Sequence, residues 1–448
     1  MSSIIKVDTI QDQAGNNIIN ESGDTITIGA SGDTVNVVGT LQNNGGSLAG
    51  VTFKEGGTNF TNSLLVGTDS TGTLDSATGN TGVGVGVFGA LTTGDNNVAV
   101  GYVALDVNTT GGENTAVGAS ALQKNTTASN NAAVGYLSLY NTTTGGANTS
   151  LGTCSLKENT TGTHNVAVGK DALEALTTGA CNVAIGKTVL ADTTTAIGNT
   201  AVGTLSMCTN TTGANNTAIG RLSLKENTTG SENTALGRSA LTETTTGAQN
   251  TAVGHFALAC NTTCGNLTAV GFGALCANTT GTNDTAMGHA SLDANTSGSD
   301  NVAFGTNTLG ANTSGGNNTA IGSCALQANT TASDNTAVGL RTLLANTTGA
   351  KNTAVGHIAL SSNTTGDENT AIGRSALFTN TTGGQNVAVG RLSMFSTTTA
   401  INNTAVGFCS LCANTTGSDN TAMGRGALTK NTTGTPNTAV GSLALGCN

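Results

Sequence analysis

The chain has 448 residues, of which 64 are Gly, one is Pro, none is Trp and only 9% are charged, with a formal net charge of −10. A globular enzyme of this length would carry about 25% charged residues and a richer aromatic set, and an acidic chain makes a poor partner for nucleic acid. Asn, Thr, Gly and Ala dominate throughout, which leaves a disordered polar tract or an ordered repeat; periodicity decides between them.

In chain order, the first segment runs over residues 1–60. It carries Gly23-Asp24-Thr25 and Gly32-Asp33-Thr34, nine residues apart and out of step with the rest of the chain. This segment is expected to fold separately, with 61–79 as a transition. It has no basic region followed by an apolar stretch, so no secretory signal is expected. No run approaches 18 apolar residues, so no membrane insertion is expected either.

From about residue 80 to 448 a repeat takes over. The Gly that closes N-[TV]-A-[VILMF]-G falls at Gly101, Gly118, Gly135 and onward in steps of 17 to Gly424 and Gly441, without insertion or deletion. A degenerate coil precedes them around Gly84. Numbered from the first Asn, the unit reads N-T-A-V-G-x-x-A-L-x-x-N-T-T-G-x-x. Position 1 is replaced at Leu267 and Asp284, position 3 is Ala except at Ser150, and position 9 is always Leu or Met. Disorder holds no such register, so this is a solenoid.

The unit is half the length of a two-helix repeat and rich in Asn, Thr and Gly, which are poor in helix interiors. Positions 1 to 5 instead alternate as a strand, with side chains 2 and 4 on one face and Ala at 3 on the other. Gly at 5 permits one bend, and Gly at 15 is available for positive φ in a second turn. Leu at 9 points inward as a third apolar residue beside 2 and 4. The fold class expected is all-β: a parallel β-solenoid or β-roll of about 22 coils of 17 residues, about 100 Å long at about 4.8 Å per coil. Asn at 12 and Thr at 13 should form ladders that bond along the rod. The core of each coil is thin, so the Ala face is expected to pack against another chain, giving a homotrimeric fibre.

Several residues invite chemistry. The ten cysteines are Cys154, Cys181, Cys208, Cys260, Cys264, Cys276, Cys324, Cys409, Cys412 and Cys447. No CxxC pair faces a second one, so zinc is not expected. Cys260 with Cys264 and Cys409 with Cys412 could close local disulfides, but reduced, space-filling thiols are the reading adopted. His255, His289 and His357 share position 6 with Lys170, Lys187, Arg221, Arg238, Arg374, Arg391 and Arg425. That column reads as solvated charge rather than a metal site. Position 17 is acidic in Glu113, Glu232, Asp300, Asp334, Glu368 and Asp419, giving stripes of opposite sign at the two ends of the strand. The N-T-T triplets read as turn-and-ladder chemistry rather than glycosylation sites, and Gly82-Val83-Gly84-Val85-Gly86 lacks a phosphate-loop Lys. No catalytic, cofactor-binding or metal residue is assigned, and no cofactor is expected.

Asn182-Val183-Ala184-Ile185-Gly186 and Asn165-Val166-Ala167-Val168-Gly169 resemble the head repeats of trimeric autotransporter adhesins, which build a parallel β-roll. The 17-residue form with N-T-T-G turns is similar to repeats of phage tail fibres. The start, Met1-Ser2-Ser3-Ile4-Ile5-Lys6-Val7-Asp8-Thr9-Ile10, also looks like that of tail-fibre proteins. The resemblance covers about 80 to 448 and implies a fibre on a virion, attached to tail or capsid through its N-terminus. It departs from the pattern in two ways: no chaperone domain follows the repeats, and Asn448 falls at position 12 of an uncapped coil. An autotransporter needs a signal and a membrane anchor, so the fibre is the leading expectation, with a host cell-surface glycan as a candidate partner. The alternative is a self-assembling extracellular filament subunit or surface adhesin.

Overall fold

A strand of only three residues recurs every seventeenth position, from Val98–Val100 to Thr438–Val440, and each pairs in parallel with the next in strict register. The computed structural model describes residues 47–48, 51–55, 59–67 and 72–447. The Gly-Asp-Thr repeats of the N-terminal segment and the final Asn448 lie outside them. The protein is an all-β parallel solenoid of about 22 turns, and among the described residues no helix is long and apolar enough to cross a membrane.

The register reaches into residues 61–79, expected as a transition. Phe60–Thr61 pairs with Ala77–Thr78, and Leu64–Gly67 with Thr81–Gly84, both in parallel and offset by 17. On the outer edge of Leu64–Gly67 the geometry changes. Val51–Glu55 pairs with it antiparallel, and Ser47–Leu48 pairs antiparallel with Val51–Glu55 in turn. An antiparallel strand laid on the first coil ends the parallel ladder there and covers its edge.

The interior is made of positions 1, 3, 8, 9, 12 and 15. In the coil that starts at Asn97, these are Asn97, Ala99, Ala104, Leu105, Asn108 and Gly111, all buried. Leu at 9 is inward as expected. The strand faces are the reverse of the expectation: Ala99 through Ala439 point inward, while position 4 is outward, with Ile185, Leu236 and Phe304 each about 40% exposed. The cause is the width of the coil. Leu at 9 and two Asn side chains already fill the interior, so only a methyl fits under the strand, and the branched residues line the outer pleated surface where they pack on their copies above and below. The Ala face therefore cannot be the contact between chains. Ser150 shows how tight that interior is. Its hydroxyl accepts from Ser138 at 2.8 Å and meets Ser155 at 2.5 Å, two serines at position 8 that satisfy the one polar replacement in the Ala column.

Most backbone N–H groups bond along the rod, while positions 8 and 12 close turns within their own coil, as in Ser223 N to Gly220 O (3.3 Å) and Asn227 N to Leu224 O (3.2 Å). Position 2 donates to the coil after it (Thr217 N to Asn233 O, 2.8 Å) and position 5 to the coil before it (Gly220 N to Val202 O, 2.8 Å). This alternation needs left-handed backbone at positions 7, 9 and 17, as at Leu222, Leu224 and Glu232, with φ of 63°, 48° and 61°. Such conformations cost about 1–2 kcal/mol each for a side-chain-bearing residue and are held by the hydrogen bonds of the coils on either side. A coil in isolation would not keep them.

The two glycines of the repeat act differently from each other. Gly at 5 has positive φ in every coil, 138° at Gly220, and a Cβ there would lie 2.5 Å from Gly237 O. Gly at 15 is not left-handed, contrary to expectation. It is small because coils approach closely there, with an added Cβ at Gly213 falling 2.3 Å from Gly230 O. Ala or Cys stands in that column at Ala128, Ala196, Cys264, Ala332 and Ala400, whereas position 5 is Gly throughout. Gly220→Ala should therefore destabilise its neighbourhood by about 1–3 kcal/mol. Hydrogen exchange of the amides of Gly220 and Gly237 measures this, and unchanged protection would mean that the bend at position 5 is not strained.

Candidate functional site

Buried polar chemistry is concentrated in two asparagine ladders. At position 12, Asn125 Nδ2 donates to Asn108 Oδ1 (2.8 Å) and to Ala128 O (3.0 Å), and Thr at 13 bonds the Thr of the next coil, as in Thr109 Oγ1 to Thr126 O (3.0 Å). These are the ladders expected from the sequence. The position 1 ladder goes beyond that expectation: Asn216 Nδ2 donates to Asn199 Oδ1 (3.2 Å) and Gly230 O (2.9 Å), and its Oδ1 accepts from Asn233 N (2.9 Å). The signal available was that positions 1 and 3 barely vary between coils while 2 and 4 do. Where position 12 loses its Asn, the acceptor below loses its donor: Asn125, Asn159, Asn227 and Asn380 keep buried Oδ1 atoms without partners under Thr142, Leu176, Thr244 and Thr397.

The position 1 ladder breaks once, at Leu267 and Asp284. Asp284 is fully buried. Its Oδ1 accepts from Asn301 N (2.8 Å) and Asn301 Nδ2 (3.1 Å), and its Oδ2 from Asn295 Nδ2 (3.1 Å). Burial outweighs these bonds and raises its pKa to about 7.

Positions 7 and 10 of one coil face each other and form the corner where six of the ten cysteines lie. Cys409 and Cys412 occupy those positions and are joined as a disulfide with Cα atoms 4.9 Å apart. This corrects the reading of uniformly reduced thiols: the spacing of three residues across a tight corner brings the two sulfurs together. Cys260 and Cys264 remain unpaired, as do the other six. Burial pushes the thiols of Cys154, Cys208, Cys260, Cys264 and Cys276 up, which suits space-filling groups rather than nucleophiles.

The same corner gathers Cys154, Asp171 and Glu174, whose ligand atoms lie within 4.8 Å of one another. Two lysines answer the carboxylates, Lys170 to Asp171 at 2.9 Å and Lys157 to Glu174 at 3.6 Å. With the thiol held protonated and the carboxylates paired, the cluster is a charge network and we assign no metal to it.

The outward surface is a set of parallel columns. Position 4 forms an apolar stripe, and position 6 lies beside it, just past the Gly bend. The carbonyl of each position 6 residue accepts from the position 7 N–H one coil on, as in Arg221 O from Ser239 N (3.0 Å) and Arg391 O from Cys409 N (3.1 Å), so the column is fixed in line. The structure places His255 and His289 on either side of Phe272, with ring centroids 5.4 and 5.3 Å away, and Phe256 stacks on His255 at 4.0 Å. Position 17 lines the other end of the strand, where Gln249 donates to Glu232 (3.1 Å) and Gln385 to Glu368 (3.2 Å). No protein-family model and no curated protein matches the chain.

Proposed function

We propose that the chain is a structural fibre of a phage virion, a tail fibre or similar appendage, that acts as an elongated spacer and carries contact to a host surface. The observation that supports this most is the unbroken parallel stacking from Thr81–Gly84 to Thr438–Val440, which gives a stiff rod of about 100 Å. In this reading the N-terminal segment attaches to the virion and the copies form a homotrimer. The surface suited to that contact is the outward face of positions 2 and 4, because a second copy has the same pitch and stays in register with the stripe over its whole length.

The filament or adhesin alternative shares the rod but not the assembly. Negative-stain imaging and light scattering separate them. The fibre reading expects rods of uniform length with the mass of three chains. Filaments of indefinite length, or the mass of one chain, would overturn it.

A further inference from the structure

Position 6 holds a pattern that the 17-residue period hides. Arg221, Arg238, His255, Phe272 and His289 occupy five consecutive coils. His357, Arg374, Arg391, Phe408 and Arg425 occupy another five, each 136 residues, or eight coils, after its counterpart. Both blocks read base, base, base, Phe, base. Cys276 and Cys412 keep the same offset, as do Met287 and Met423, so a larger repeat carries this surface twice.

The local setting isolates the bases. Both phenylalanines and all four arginines from the two Arg pairs, Arg221, Arg238, Arg374 and Arg391, are exposed, as is Arg425. On one side runs position 4, with Ile219, Leu236, Val253, Val270 and Met287 in the first block and Val355, Ile372, Val389, Val406 and Met423 in the second. On the other runs position 7, which is uncharged in all ten coils. Among the described residues none of these arginines has a carboxylate within salt-bridge distance. Arg391 instead lies over the Phe408 ring at 5.6 Å. A shallow apolar recess lined by Leu392, Phe395, Cys409 and Cys412 adjoins that pair.

We infer that each block is a binding site for a linear acidic polysaccharide lying along the rod. Bases in line at about 4.8 Å steps suit a chain that carries an anion on successive units. The exposed edge of a ring flanked by bases adds apolar surface for the sugar rings of such a chain. The acidic stripe of a second copy is a poorer match. Position 17 is densest at Asp300, Asp334 and Glu368, where Lys351 interrupts the run, and Glu232 and Glu368 already accept from Gln249 and Gln385. Nucleic acid shares the charge, and an oligodeoxythymidylate control separates it from the polysaccharide. The second block is the stronger site, because it carries three arginines, Arg374, Arg391 and Arg425, against two, Arg221 and Arg238, in the first. The inference deepens the surface-contact part of the proposed function and rests on it for the source of the ligand.

Titration calorimetry of the full chain with a short oligogalacturonate tests this, with dextran and a single-stranded oligodeoxythymidylate as controls. Thr is native to the column at Thr153, Thr204 and Thr306, so replacement by Thr leaves the coil intact. The expected result is two sites per chain, with affinity falling as salt rises. R374T/R391T/R425T should lose the tighter site, weakened on the order of 100-fold, and R221T/R238T the other. Phe408→Thr should weaken its site on the order of tenfold. Absence of binding, a stoichiometry unchanged by the Arg variants, or equal affinity for dextran or the oligodeoxythymidylate would overturn the inference. These outcomes are independent of rod length and mass, which test the fibre.

Discussion

Excision of residues 216–249 removes two whole coils, 34 residues, and should give a folded, assembled rod shorter by about 10 Å. The junction would set Asn250 over Asn199, as Asn216 sits now, with Asn199 Oδ1 ready for the incoming N–H that it accepts from Asn216 at 2.9 Å. Excision of 216–245 differs by only four residues and should not be tolerated. Past that junction Leu and Ala meet turn positions, and both asparagine ladders lose their partners. Each buried polar group left without a partner costs about 1–3 kcal/mol, and the ladders supply several in one coil. Imaging for length and hydrogen exchange for integrity read both variants. Equal behaviour of the two would refute the phased ladder.

The second large effect belongs to Asp284. Its pKa is raised from 3.8 to about 7 in the folded chain by burial. Below about pH 4 the carboxyl is protonated folded and unfolded, and the coil is at its most stable. As pH rises toward 7 the unfolded chain gives up its proton first, so stability falls, and above about 7 the loss is complete at about 4 kcal/mol. Stacked coils open locally, so the readout is protection of nearby amides such as Asn301 N, corrected for intrinsic exchange. Protection should drop on the order of 1000-fold between pH 4 and 8. Asp284→Asn should flatten this dependence and restore a donor at position 1 toward Gly298 O, as Asn216 gives to Gly230 O. The same slope in variant and parent would show that Asp284 is not its source.

What the sequence determined by itself is the periodic part of the molecule. Seventeen-residue spacing, the parallel stacking it implies, the inward Leu at 9 and the bonded columns of Asn 12 and Thr 13 all follow from one-dimensional regularity, because identical residues stacked at one pitch must face one another. Alternation at positions 1 to 5 also separated two faces. It could not say which face is inside, since a period of two fits either choice. That was decided by volume: with Leu105 and the Asn97 and Asn108 side chains occupying the coil, only the methyl of Ala99 fits beneath the strand, and the branched residues are left outside. The left-handed backbone at Leu222, Leu224 and Glu232 carries no glycine signal, because hydrogen bonds from the coils before and after impose it rather than local preference. The disulfide at the position 7 and 10 corner likewise exists only because the bend brings those two side chains together.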